Sequence, residues 1–136
     1  MRRGKRTGAI TAILLLTLAS GTLAAAGVAY SGKTSQKQPV SFRIFASAVH
    51  RFKIIVLDKC PDGHTLRVTA GYPAMRVKNG RFGGRFVPIG GHSGEKATLH
   101  GTVSGKKASG GLSDTSFSSR EGALCHGTAR FTAKRR

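Results

Sequence analysis

The stretch Phe52-Lys53-Ile54-Ile55-Val56-Leu57-Asp58-Lys59-Cys60-Pro61-Asp62-Gly63-His64-Thr65-Leu66-Arg67-Val68-Thr69-Ala70 decides the fold class. Phe52, Ile54 and Val56 share one parity, and Ile55 and Leu57 make the opposite face apolar too. A strand that is apolar on both faces belongs in the middle of a sheet, covered on two sides. Cys60-Pro61-Asp62-Gly63 then reads as a turn, because proline presets φ, aspartate can bond its own backbone and glycine accepts positive φ. Beyond it Leu66, Val68 and Ala70 face one way while Thr65, Arg67 and Thr69 face the other. The segment is two strands joined by a turn.

The same period of two runs outward in both directions. Val40, Phe42 and Ile44 alternate with Ser41 and Arg43, and Ala97, Leu99, Gly101 and Val103 form a further set. Asn79-Gly80, set between Met75-Arg76-Val77 and Arg81-Phe82, is the strongest hairpin signal in the chain. Ala108 to Ser113 follows a Gly-Lys-Lys turn. A last strand begins near Leu124, with Cys125, Ala129, Phe131 and Ala133 on one parity. Gly90 to Gly94 and Ser113 to Gly122 read as loops. No window of 11 or more residues in this part carries a helical apolar stripe. The expectation is an all-β domain, a small antiparallel sandwich or barrel of seven to nine strands.

At 136 residues the chain has room for one such domain and a targeting segment, which excludes multidomain enzymes and α/β barrels. Met1 to Gly8 carries Arg2, Arg3, Lys5 and Arg6 without an acid, and Ala9 to Ala29 is uncharged. A basic start, a short apolar run at Ile10–Leu18 and a small-residue exit describe a secretory signal peptide, residues 1–29, cleaved after Ala29 or after Ala26. An uncleaved N-terminal anchor is the competing reading. The β domain then covers 30–133, and Lys134-Arg135-Arg136 reads as a fraying basic tail. Removing residues 1–29 takes four of 23 Lys/Arg and none of five Asp/Glu, which leaves 107 residues at net +14. Export predicts a disulfide between the two cysteines, Cys60 and Cys125. His126 adjoins Cys125, but neighbours on a strand point to opposite faces, so it is poorly placed to activate a free thiol.

Two dramatic motifs fail on context. Gly27-Val28-Ala29-Tyr30-Ser31-Gly32-Lys33-Thr34 satisfies the phosphate-loop spacing, and Ile54 to Asp58 has the look of the acidic strand that would hold its magnesium. That chemistry needs a strand before the glycines and a helix after them, and here a strand pattern follows instead. The five histidines show no metal-binding spacing, and Asp58, Asp62, Glu95, Asp114 and Glu121 are scattered, so no metal or other cofactor is expected. Gly91-His92-Ser93-Gly94-Glu95 misses the serine-nucleophile elbow, and no catalytic residue is assigned. In Arg81-Phe82-Gly83-Gly84-Arg85-Phe86 the rings and the cations have opposite parity, which places phenylalanine in the core and arginine in solvent rather than building a base-stacking platform.

The series Tyr-Ser-Gly-Lys-Thr-Ser-Gln (30–36), Pro-Val-Ser-Phe (39–42), Cys-Pro-Asp-Gly (60–63), Lys-Asn-Gly-Arg-Phe (78–82), Gly-Thr-Val-Ser-Gly-Lys-Lys-Ala-Ser-Gly (101–110), Cys-His-Gly-Thr (125–128) and Phe-Thr-Ala-Lys-Arg (131–135) resembles a group of small exported proteins of high-GC Gram-positive bacteria. The resemblance implies an extracellular β domain with the cysteine pair and carries no site residue. The charge carries the functional expectation, since net +14 exceeds the magnitude of about 2–8 that solubility asks of a small domain. A secreted or envelope-associated binder of an anionic wall polymer, anionic lipid headgroups or an envelope protein is expected, with nucleic acid met only non-specifically. Candidate contacts are Arg51, Lys53, Arg76, Lys78, Arg81, Arg85, Lys106 and Lys107. The alternative is an extracellular enzyme or enzyme inhibitor whose site is assembled only in the fold.

Overall fold

The computed structural model describes residues 27–136, so most of the expected signal segment lies outside the described residues. The chain is all-β: β1 (Val28–Thr34), β2 (Pro39–Phe45), β3 (Ala48–Lys59), β4 (Thr65–Tyr72), β5 (Met75–Arg76), β6 (Arg81–Phe86), β7 (Lys96–Ser104), β8 (Lys107–Ser118) and β9 (Ala123–Arg135). They form one antiparallel sheet in the order β4-β3-β2-β1-β9-β8-β7-β6, with β5 added to β3. The sheet curls until β3 also meets β9, where Lys59 pairs with His126. Beside that junction Cys60 and Cys125 are bridged.

Curling puts one parity of nearly every strand inside. Phe42 stacks on Tyr30 at 5.2 Å and on Phe52 at 5.5 Å, Phe82 lies 5.7 Å from Phe42, and Phe131 meets Phe52 edge-on at 5.7 Å. Val40, Val49, Ile54, Val56 and Leu99 fill the space between these rings. The two end strands, β4 and β6, approach each other without pairing, and Tyr72 and Phe86 touch across the seam with ring centroids 4.6 Å apart. The result is a barrel left open along one line.

The alternation readings hold, Phe82 being buried and Arg81 and Arg85 exposed. The phosphate-loop spacing 27–34, rejected on its context, is the paired strand β1, flanked by β2 and β9, and four boundaries differ from expectation. That strand starts at Val28, and the Ala29 carbonyl accepts a hydrogen bond from Arg136 N–H at 2.9 Å, so cleavage after Ala29 would remove paired residues and cleavage after Ala26 would spare them. Lys134 and Arg135 belong to β9 rather than to a loose tail, because Ser31 and Tyr30 of β1 pair with them. The Asn79-Gly80 turn does form, both residues at positive φ, but its upstream arm is short because Met75 and Arg76 pair with β3 instead. Finally, Ser113 to Ser118 is not loop. Its polar composition hides an alternating continuation of β8 along β9.

A cationic hydroxyl trough and an acid-floored cleft

The outward face of β7, β8 and β9 is built from five cross-strand rows. They are Ser104–Lys107–Lys134, Thr102–Ser109–Thr132, His100–Gly111–Arg130, Thr98–Ser113–Thr128 and Lys96–Thr115–His126. The middle strand carries only Ser109, Gly111 and Ser113 between Lys107 and Thr115, so it forms a low floor between taller flanks. The ring of His100 lies over Gly111, where an added Cβ would come within 2.7 Å of it. Depressions of about 370, 510 and 490 Å³ succeed one another along this floor, from Lys107 and Lys134, past His100 and Arg130, to His126 with Lys59 and Gln36. At about 3.4 Å per residue the floor from Lys107 to Thr115 runs roughly 27 Å. The trough offers serine and threonine hydroxyls, four Lys/Arg and two histidines, and its rows contain no acid.

The eight cations named from the sequence divide among separate places. Lys107 stands in the trough opposite Lys134, and Lys106 sits in the turn at its end, its carbonyl accepting from Arg135 N–H. Lys53 extends the first row around the barrel through Ser31 and Ser41. Arg76, Lys78 and Arg81 converge with His100 on a neighbouring open groove of about 670 Å³. Arg85 is at the seam instead, and Arg51 stands alone at a bulge of β3 with φ of 52°. Sequence reasoning missed Lys134, read as tail, and did not single out Arg130, His100 or the threonines. The alternation Thr98/Thr102 and Thr128/Thr132 was visible, but only the register puts those residues side by side.

No acid stands in the five rows, and only Asp114, from the opposite parity of β8, reaches the trough, at the last depression beside His126. Glu95 staples the β6–β7 loop, accepting from Phe117 N–H at 2.8 Å and from His92 N–H at 3.0 Å. Asp62 and Glu121 gather around His64, joining the β3–β4 turn to the β8–β9 turn beside the disulfide. Hydrogen bonding from Glu121 and His64 holds Asp62 down to about 2, while burial and Asp62 raise Glu121. The three offer ligand-type atoms within 4.8 Å of one another, and the Arg120 guanidinium lies 3.5 Å from the His64 ring beside them.

The remaining acids occupy the interior. Asp58 continues the inward parity of Phe52, Ile54 and Val56, is 0% exposed, and receives no N–H or O–H from another residue. Asp114 continues the parity of Leu112, is 6% exposed, and accepts from Ser116 Oγ at 2.7 Å. The sequence reading of Asp114 as a loop residue is therefore wrong. Burial first, then hydrogen bonding and charge repulsion from Asp114, push Asp58 up to about 8. The Tyr72 hydroxyl, also buried and unpartnered, is raised by burial and by both carboxyls. Gly127 allows the pair to fit, since a Cβ there would lie 2.2 Å from Asp58 Oδ1.

Above Asp114 the seam opens as a cleft of about 700 Å³ between Val68–Tyr72 on one side and Arg85–Ile89 on the other. Comparison with family models, curated proteins and solved structures gives no match to this chain.

Proposed function

We propose that the protein acts outside the cytoplasm as a non-enzymatic binder of a linear anionic polymer, held in the trough along β8. The observation that carries this is the outward face of β7–β9, whose five rows combine cations, histidines and hydroxyls along roughly 27 Å and hold no acid. A face shaped for solubility alone mixes both signs of charge. A polyanion such as a polyol-phosphate wall polymer has negative groups at regular intervals with hydroxyls between them. On β9 the outward series Lys134, Thr132, Arg130, Thr128, His126 alternates nitrogen-bearing side chains with hydroxyls in the same way. The small floor residues let an extended chain lie close to the backbone. A disulfide fits an oxidising compartment, and among the described residues no helix is long and apolar enough to cross a membrane. The signal segment and cleavage after Ala26 belong to this reading.

The test is binding of the disulfide-intact protein to purified polyol-phosphate polymer and to anionic phospholipid vesicles across a salt series. At about 0.15 M salt, where the Debye length is near 8 Å, the polymer should be retained and then released as salt rises. Lys107→Glu with Lys134→Glu should weaken retention by tenfold or more. Arg51→Glu with Arg120→Glu, equal in charge but off the trough, should weaken it far less. Equal losses from the two pairs would reduce the interaction to net charge, and stronger retention by vesicles than by polymer would replace the polymer with a lipid surface.

A further inference from the structure

The cleft at the open seam adjoins the trough's last row, Lys96–Thr115–His126, and is opposite to the trough in chemistry. Its walls are apolar: Val68, Ala70 and Tyr72 from β4 face Phe86 at the end of β6 and Val87 and Ile89 beyond it. Val87 and Ile89 are 74% and 105% exposed at its mouth, the two large apolar side chains most open to solvent among the described residues. Its inner end is made of oxygen acceptors, with Asp114 and Ser116 from β8 lining it and Asp58 behind Asp114. In a chain of net +18, two of five acids meet here inside the barrel.

From this geometry we infer that the seam cleft binds a small organic ammonium, an amine carried on an aliphatic or aromatic body, with its charged nitrogen on Asp114 and its body between Tyr72, Phe86, Val87 and Ile89. Three observations support that ligand class. The volume of about 700 Å³ suits a drug-sized molecule and is enclosed by two strand edges that the sheet leaves unpaired. The Tyr72 hydroxyl is buried without a partner in the cleft wall, ready to accept from or donate to a polar head. The buried acid pair lacks any cation from the chain, and an ammonium supplies both the missing charge and the missing donors. Arg85 and Lys96 rim the mouth, but both are exposed, and water weakens their repulsion far more than it weakens the pull of a buried carboxylate.

An anionic or neutral ligand fits less well. A carboxylate would face Asp114 directly, and an alcohol of equal shape would leave the acid pair without a counter-charge. The exposed Val87 and Ile89 stand where a ligand's body would cover them.

The probe series is phenethylammonium, 2-phenylethanol and phenylacetate, titrated into the disulfide-intact protein at pH 7 and followed by backbone amide NMR shifts. Phenethylammonium should shift residues 68–72, 85–89 and 114–116 saturably. The alcohol should bind at least tenfold more weakly, and phenylacetate should leave these amides in place. Asp114→Asn should abolish the preference of amine over alcohol, and Ile89→Ser should weaken both equally. Should Asp114→Asn fail to fold, Tyr72→Phe must lower amine affinity severalfold while the amide spectrum stays native. Equal binding of amine and alcohol, shifts centred on the trough, or no saturable shift up to millimolar amine would each overturn the assignment.

Discussion

Acidification from pH 8 to pH 5 is expected to stabilise this protein, against the habit of small domains that lose stability as their carboxylates protonate. The cause is Asp58. Its folded pKa of about 8 stands well above the ordinary carboxylate value, because the side chain is fully buried and faces Asp114. The titratable groups set against it from neighbouring strands are Asp114 on β8 and Tyr72 on β4, and neither supplies positive charge. Between about pH 4 and 8 the folded chain holds a proton on Asp58 that the unfolded chain has released. Stability therefore falls as pH rises through that window, by about 1.4 kcal/mol per unit and on the order of 5 kcal/mol in total at most. Glu121, also raised, acts in the same direction. Asp62, lowered to about 2, acts oppositely and only at the acid end. Thermal melts should thus peak near pH 4–5 and fall by ten degrees or more towards pH 8. Asp58→Asn removes the titration while keeping an N–H for Asp114, so it should flatten the profile and raise the melting temperature at pH 8. A wild-type melting temperature that rises from pH 5 to pH 8 would show that Asp58 ionises normally.

How far the sequence reveals this depends on which residues one follows. The chain from Phe52 to Cys60 announces its own burial pattern, and Asp58 sits on the inward parity between Val56 and Cys60. Read for its resemblance to a magnesium-binding strand, that aspartate was dismissed together with the false phosphate loop. Read for parity, it is a buried acid in need of a partner. The partner was illegible, because Ser113-Asp114-Thr115-Ser116 has the composition of a loop. Only the long ladder with β9 keeps it extended and turns Asp114 inward beside Leu112. The disulfide needed no such help, since a chain with two cysteines leaves one pairing. The trough lies between these cases. Its hydroxyls alternate visibly on each strand, but their alignment into rows depends on three strands lying in register, which no local pattern encodes. The cations gave a sum and no map. Arg51, Arg85 and Lys107 look alike in sequence and occupy a bulge, a seam and a trough.

Replacing both Cys60 and Cys125 with alanine should cost several kcal/mol. The bridge joins residues 65 apart, which in the loop-entropy model is worth about 4 kcal/mol, inside the 2–5 kcal/mol found for native disulfides of small secreted domains. Its position adds a reason beyond chain entropy. Around the barrel β3 is linked to β9 by way of β2 and β1, and its one direct backbone pairing with β9 is that of Lys59 with His126. The bridge lies one residue beyond that pairing on each strand and keeps the junction shut. Without it the junction should open first, and hydrogen exchange should quicken at Lys59 and His126 while the β7–β8 ladder stays protected. Asp58 is two residues from Cys60, and Gly127, which packs on its carboxyl, is two from Cys125. Opening the junction therefore admits water to the acid pair. The two expected results are linked: in the alanine variant the rise in stability on acidification should shrink, since a hydrated Asp58 returns towards its ordinary pKa. Urea denaturation at pH 5 and pH 8 of the bridged and alanine forms reads both effects at once. A loss below about 1 kcal/mol at both pH values would mean that the β3–β9 junction holds by packing alone, and an unchanged pH slope would mean that the bridge does not shelter Asp58.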